Sequence, residues 1–417
     1  MNANKDNTLF TPFKVGPIVL RNRTIRSAAF EGMCLDNNPS KELFDYHTSV
    51  AKGGIGMTTI AYASVSKSGL SFKRQLWMRK EIVPQLKELT DAIHKEGALA
   101  SIQLGHCGNM SHRSICGCTP RGASRGINIY SPTFVHKLSK KEIEEITKAY
   151  GNAVTLSKEA GFDAIEIHAG HGYLISQFLS PYTNHRHDEF GGSLDNRMRF
   201  MEMVMQEVMN AAGTDLAVFV KMNMRDGFKG GMEINESIKV AQKLQEIGAQ
   251  ALVLSGGFVS RAPMYVMEGP FPIKAITHYM PLKQWWLKAA VSIFGRMMAP
   301  TVPFRENYFL EEAKKFRTAL DIPLVYVGGV ISRKGIDEIL DAGFDMVQIA
   351  RALVRDTDFV NKLKKGDKST CSECEHVNFC IGRMYTISMV CHTKCPDITR
   401  KLERDCRKKA LKQKQKI

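Results

Sequence analysis

His168, His171 and Tyr173 are the residues whose types and spacing most directly suggest chemistry. Two imidazoles three positions apart can act on one group only if the backbone turns sharply between them, and Gly170 and Gly172 permit such a turn. Arranged in this way, the imidazoles can hold a carbonyl oxygen or an oxyanion and the phenol can give a proton. A metal reading needs a third ligand and usually asks for histidines four apart on a helix. Histidines merely satisfied in a core are the structural alternative, and they leave the two glycines at the same place unexplained.

The element that must position this group is a buried strand. Phe162 to Ile167 alternates apolar residues with Asp163 and Glu166, and the period stops at His168, as at the C-terminal mouth of a strand. Similar runs occur at 24–30, 55–61, 98–105, 217–223, 250–256, 323–329 and 344–351, separated by helical patterns clearest at 80–96, 139–160, 195–212, 235–247, 305–320 and 333–342. Eight alternations with no break in composition predict an α/β fold, a (β/α)8 barrel over residues 1–365, with residues 8–20 as a short hairpin plugging its bottom. In such a barrel functional residues sit at strand ends. Gly328 and Gly329 after the seventh strand, and Ala350 and Arg351 after the eighth, then form the expected phosphate site, with backbone N–H groups and one counter-charge.

The runs I-H-A-G-H-G-Y-L-I-S-Q-F-L-S-P and N-H-R-H-D-E-F-G-G-S-L-D-N-R resemble the Old Yellow Enzyme family of FMN-dependent ene-reductases, and the likeness extends through most of residues 8–365. The resemblance implies FMN at the C-terminal mouth, His168 and His171 as the carbonyl-binding pair, and Tyr173 as the proton donor. It places Ala28, Ala29 and Phe30 beside the flavin, where Phe30 replaces a side chain that often hydrogen-bonds in the family. It also places Ala61 against the ring, Gln103 on the pyrimidine edge, and Lys221 under the flavin as a cation that stabilises the anionic reduced form. A lysine between Val220 and Met222 in an apolar strand is costly without a partner.

Composition bounds the rest. The chain has 417 residues, 44% hydrophobic and 24% charged, enough for one large core and incompatible with global disorder. The N-terminal residues lack a signal-peptide pattern, and no uncharged apolar run approaches the roughly 18 residues of a membrane span, so a cytoplasmic protein is expected. Net charge is +16, and residues 400–417 carry nine Lys or Arg. That tail reads as a solvated or frayed helix. Attraction to nucleic acid or an anionic membrane is the sharper alternative, and nucleic acid is not expected because the tail lacks interleaved aromatics.

Residues 257–304 form an insertion after the sixth strand, rich in Met264, Met267, Trp285, Trp286, Met297 and Met298, with a helix near 281–298. It reads as a packed subdomain, a lid over an apolar substrate, or a surface for a partner or membrane. Cys107, Cys116 and Cys118 lie in a long loop after the third strand, read as part of the substrate wall. Residues 366–417 form a cysteine-rich extension. Cys371, Cys374, Cys380, Cys391 and Cys395 depart from the tighter spacing of iron–sulfur branches, with Val377 where a cysteine would complete the series. Reduced thiols are the favoured reading, with [4Fe–4S] or zinc as alternatives.

The expected function is reduction of the C=C bond of α,β-unsaturated carbonyl compounds, with bulky enones such as 3-oxo-Δ4 steroids or bile acids suggested by the insertion. NAD(P)H or an electron-transfer protein would supply the electrons, because no Gly-rich dinucleotide fingerprint follows a strand. Competing expectations are a 2,4-dienoyl-CoA reductase-like enzyme, an amine dehydrogenase-like flavoprotein, and a non-enzymatic flavin- or partner-binding barrel. Either a monomer or a homo-oligomer is compatible with the sequence.

Overall fold

Inward-facing residues alternate along eight short strands, and in the computed structural model those strands close on one another. The structure describes residues 5–128, 133–280, 285–298 and 301–414. The strands are β1 (Thr24–Arg26), β2 (Met57–Ser64), β3 (Leu99–Gly105), β4 (Ala164–Ala169), β5 (Ala217–Asn223), β6 (Ala251–Ser255), β7 (Leu324–Val327) and β8 (Met346–Ile349). Each pairs in parallel with its sequence neighbour, and β8 and β2 both pair with β1, which closes the (β/α)8 barrel. Helices Lys41–Lys52, Val83–Lys95, Lys140–Glu159, Leu194–Ala212, Ile234–Ile247, Leu310–Arg317, Arg333–Asp341 and Phe359–Lys365 lie in the crossovers and after β8. Their starts follow local chemistry: Ser139 caps Lys140–Glu159 reciprocally with Glu142, and Ser40, Ser193 and Ser332 cap three others.

Two cores result. The larger fills the space between strands and helices, while a smaller one lies inside the barrel, where Ala164, Phe219, Val253, Val325 and Met346 meet Val15, Ile18 and Leu20. Those last three belong to the hairpin Phe13–Val15/Ile18–Leu20, which plugs the bottom as expected. Further along the same strands the inward positions change character. Two residues beyond Ala164 stands Glu166, then His168; two beyond Phe219 stands Lys221; two beyond Met346 stands Gln348. Because alternate residues share one face, a dry bottom and a polar top come from one period.

The insertion forms helices Pro263–Met267, Ile273–Tyr279 and Trp285–Met298. The C-terminal extension packs on it rather than standing apart: Val377, Phe379, Cys395, Leu402, Cys406 and Ala410 share a small core with Ala275. No described helix is long and apolar enough to cross a membrane.

Candidate active site

The turn after β4 is made from the residues the sequence singled out. His171 and Gly172 both have left-handed backbone, with φ of +59° and +81°. A Cβ on Gly172 would lie 2.4 Å from the Phe258 ring, and one on Gly170 2.8 Å from Asn223 Oδ1, so neither position admits a side chain without rearrangement. Asn223 Oδ1 accepts from the His171 backbone N–H at 2.9 Å, and the Ser255 hydroxyl lies 2.8 Å from His171 Nε2, fixing the ring. The His168 and His171 rings stand 5.1 Å apart at 88°, and the Tyr173 ring is 4.6 Å from His168. Burial, with Lys221 nearby, holds His171 down at about 3. Burial, His171 and Lys221 hold His168 well below the usual histidine range. Burial raises the Tyr173 phenol. The group is therefore two neutral imidazoles and a phenol that keeps its proton.

These three residues line one open cavity, of about 1400 Å³ counting its mouth, together with Ala28, Ala29, Phe30, Gln103, Lys221, Gly328, Gly329, Ala350 and Arg351. Ala61 is the exception. The pairing of β2 with β3 shifts register between Ile60 and Ala63, so the cavity is lined by Tyr62, while the Ala61 N–H points to the Glu31 carboxylate at 3.0 Å. Glu31 is buried with Arg26 at 2.6 Å and His47 at 3.3 Å, a cluster that ties the segment after β1 to β2 beneath the cavity.

The cavity floor contains a residue the sequence reading left without a role. Glu166 is buried and accepts from Lys221 Nζ at 2.9 Å, Gln103 Nε2 at 2.6 Å and Gln348 Nε2 at 2.5 Å. Lys221 thus has the partner its burial demands, although burial still lowers its pKa more than Glu166 raises it. The signal for Glu166 and Gln348 was present in the inward period shared with His168 and Ala350. On the opposite wall, Cys380, Ile381, Met384, Tyr385 and Met389 come from the C-terminal extension, where no period marked them. Phe30 stacks on Phe72 with centroids 4.7 Å apart, and Phe72 meets Tyr385 at 5.7 Å, giving an aromatic rim.

The insertion contributes Val259, Val266, Met267 and Phe304 to the cavity, whereas Trp285 and Trp286 face solvent and take no part in it. The apolar wall expected from the paired tryptophans is therefore absent from the mouth, because their helix lies on the outer side of Ile273–Tyr279. The side chains of Met264, Met297 and Met298 lie outside the described residues. Of the loop after β3, Met110 reaches the cavity, and Cys107 touches Tyr62 Oη at 3.0 Å. Among the described residues, no three His, Cys, Asp or Glu side chains converge as metal ligands, although Cys374, Cys380 and Cys391 line one small pocket beside Arg351. Cys371 is exposed, while Cys380 and Cys395 are buried.

The residues present fit FMN. Ser27, Gln103, Lys221 and Gln348 give one polar patch suited to a heteroaromatic edge, and Gly328, Gly329 and Arg351 give a second suited to one anion. Gly328 and Gly329 adopt φ of +138° and +76°, and Arg351 donates to the Glu268 carbonyl and Asn378 Oδ1, acceptors that leave its charge uncompensated.

Comparison with known proteins shows the family. Residues 8–275 match the model of the "NADH:flavin oxidoreductase / NADH oxidase family". The chain is 37% identical to a 4,4'-dithiodibutanoate disulfide reductase of Rhodococcus erythropolis, over 91% of this chain and 93% of that one. It is 29% identical to an NADH oxidase of Thermoanaerobacter brockii, over 90% of this chain but only 53% of the relative. The old yellow enzyme homologue of Zymomonas mobilis has the same fold, with a TM-score of 0.69, 21% identity, and coverage of 91% of this chain and 97% of that one. A family that implies FMN and a nicotinamide reductant, found on a cavity that fits the first, makes the chain an oxidoreductase: it belongs to the NADH:flavin oxidoreductase family, that of the old yellow enzymes.

Proposed function

We propose that the protein reduces the C=C bond of α,β-unsaturated carbonyl compounds. The observation that carries this reading is the cluster of His168, His171 and Tyr173, two neutral donors and one protonated phenol within about one ring's width of each other on a cavity rimmed by aromatic side chains. When bound, FMN would supply a hydride, having been reduced by hydride from NAD(P)H or by two electrons from a protein donor with a proton from solvent. His168 and His171 hold the substrate carbonyl oxygen and stabilise the charge that grows on it as the β-carbon accepts the hydride. Tyr173 then delivers its proton to the α-carbon, and solvent restores it. Phe30, Phe72 and Tyr385 offer flat apolar surface to a conjugated substrate and exclude water from it. Glu166 acts beneath by keeping Lys221, Gln103 and Gln348 in place.

The similarity to the Rhodococcus disulfide reductase across nearly both full lengths favours a second reading, reduction of a small organic disulfide to two thiols by two electrons and two protons. His168, His171 and Tyr173 would donate hydrogen bonds to the departing thiolates, and the two protons would come from solvent. Bulky steroid or bile-acid enones remain a third, narrower candidate, now without tryptophans at the mouth to favour them.

Half-reactions of variants test the assignment of roles. His168→Ala or His171→Ala should weaken binding of a phenolic or carbonyl ligand. Tyr173→Phe should leave binding and flavin reduction nearly intact, yet slow reoxidation by an enone by about 10² to 10⁴. Equal damage to both half-reactions by Tyr173→Phe would show the tyrosine to be structural.

A further inference from the structure

We propose that helix Trp285–Met298 seats the protein on an anionic phospholipid surface. Trp285, Trp286, Ile293 and Phe294 are 71%, 49%, 70% and 50% exposed. At about 100° per residue, Trp286 and Ile293 nearly coincide in azimuth, while Trp285 and Phe294 flank them, so the stripe covers roughly half the helix. A contiguous apolar face of this kind marks an interaction surface, and tryptophan and phenylalanine beside aliphatic residues suit the boundary between lipid headgroups and acyl chains.

Charge says which surface. Between Glu268 and Glu306 the sequence has no acidic residue but holds Lys274, Lys283, Lys288, Arg296 and Arg305. The helix Arg400–Lys414 packs on the same element, Ile273–Tyr279, and residues 400–417 add nine Lys or Arg against Glu403 and Asp405. Asp405 is paired with Lys274 at 2.8 Å and Lys409 at 2.9 Å, which compensates its charge. A basic region beside an apolar stripe complements an anionic bilayer. It disfavours a second copy of this chain, which would bring like charges together. Nucleic acid is less suited: Trp285, Trp286 and Phe294 could stack on bases, but they stand on a convex helix face rather than in a basic groove that tracks a nucleic-acid backbone.

The FMN-loaded full chain should sediment with vesicles of phosphatidylcholine and phosphatidylglycerol, and at least about tenfold less strongly with phosphatidylcholine alone. Brominated acyl chains should quench its tryptophan fluorescence. Trp285→Ser with Trp286→Ser, and Ile293→Ser with Phe294→Ser, should each weaken sedimentation at least about tenfold while the flavin spectrum is unchanged. Arg404→Gln with Lys408→Gln and Lys412→Gln should reduce the preference for the anionic lipid. Unchanged binding by the apolar variants would overturn the proposal. So would a lipid-independent dimer lost in those variants, or preference for an oligonucleotide over vesicles. If the variants fail to fold, quenching in the wild type decides alone, and its absence overturns the proposal.

Discussion

Replacing Glu166 by Gln removes one negative charge from the barrel interior and changes nothing in volume. The carboxylate serves Lys221, Gln103 and Gln348 at once, at 2.9, 2.6 and 2.5 Å. An amide has one acceptor oxygen, and its NH2 group would face a donor, so at least one of the three loses its partner. Two unit charges 2.9 Å apart attract by about 6 kcal/mol at an effective dielectric constant near 20, most of which offsets the desolvation of both groups. Breaking such a pair from one side costs about 3–5 kcal/mol, because the other charge stays buried. Glu166→Gln should therefore lower the apparent unfolding free energy by about that amount in reversible urea denaturation followed by circular dichroism. Lys221 would respond by shedding its proton, since burial already lowers its pKa. The double variant Glu166→Gln with Lys221→Met removes both charges and should lose less than the sum of the single losses, by about 2 kcal/mol or more. A loss below about 1 kcal/mol from Glu166→Gln, or strict additivity, would refute the view that this pair organises the cavity floor.

Other outcomes follow from the same geometry. Arg351→Ala should weaken FMN binding about 10- to 100-fold, as loss of a charge-assisted contact of about 1.5–3 kcal/mol implies, and flavin fluorescence titration measures this. His168 and His171 have folded pKa values below the unfolded value of about 6.5, so the unfolded chain binds more protons in acid. Their contribution is present in full above about pH 6.5 and is lost as pH falls toward about 3, the level at which burial holds His171. At pH 4.5 the cost should be roughly 2–3 kcal/mol for His171, and His171→Gln should be correspondingly less acid-sensitive in urea midpoints. Because both rings stay neutral, affinity for a carbonyl ligand should be flat from pH 6.5 to 8 when measured by spectral titration.

The barrel was legible because its strands carry a period of two and its helices a wider one, so even the hairpin plug could be placed from residues 8–20. The histidine pair and Tyr173 were legible because their period ends abruptly among glycines. Ala61 was misplaced by one residue, since a register shift within β2 leaves no mark in a run of small and apolar side chains. Glu166 looked like ordinary alternation; its meaning depends on Lys221, Gln103 and Gln348 arriving from three other strands. Tyr385, Met384 and Cys380 were beyond local reading for a similar reason, as the extension reaches the mouth by packing on the insertion and on distant barrel loops, where the Met389 N–H meets the Glu31 carbonyl. Trp285 and Trp286 show the opposite error, where composition suggested a substrate wall and the fold turned the helix outward.

The central claim is tested most directly by anaerobic titration of the purified protein. Its yellow spectrum should bleach with NAD(P)H or a chemical reductant, recover stoichiometrically on addition of an α,β-unsaturated ketone or aldehyde, and yield the saturated carbonyl product. A colourless protein, or a reduced flavin that recovers with an organic disulfide but with no member of an enone panel, would contradict it.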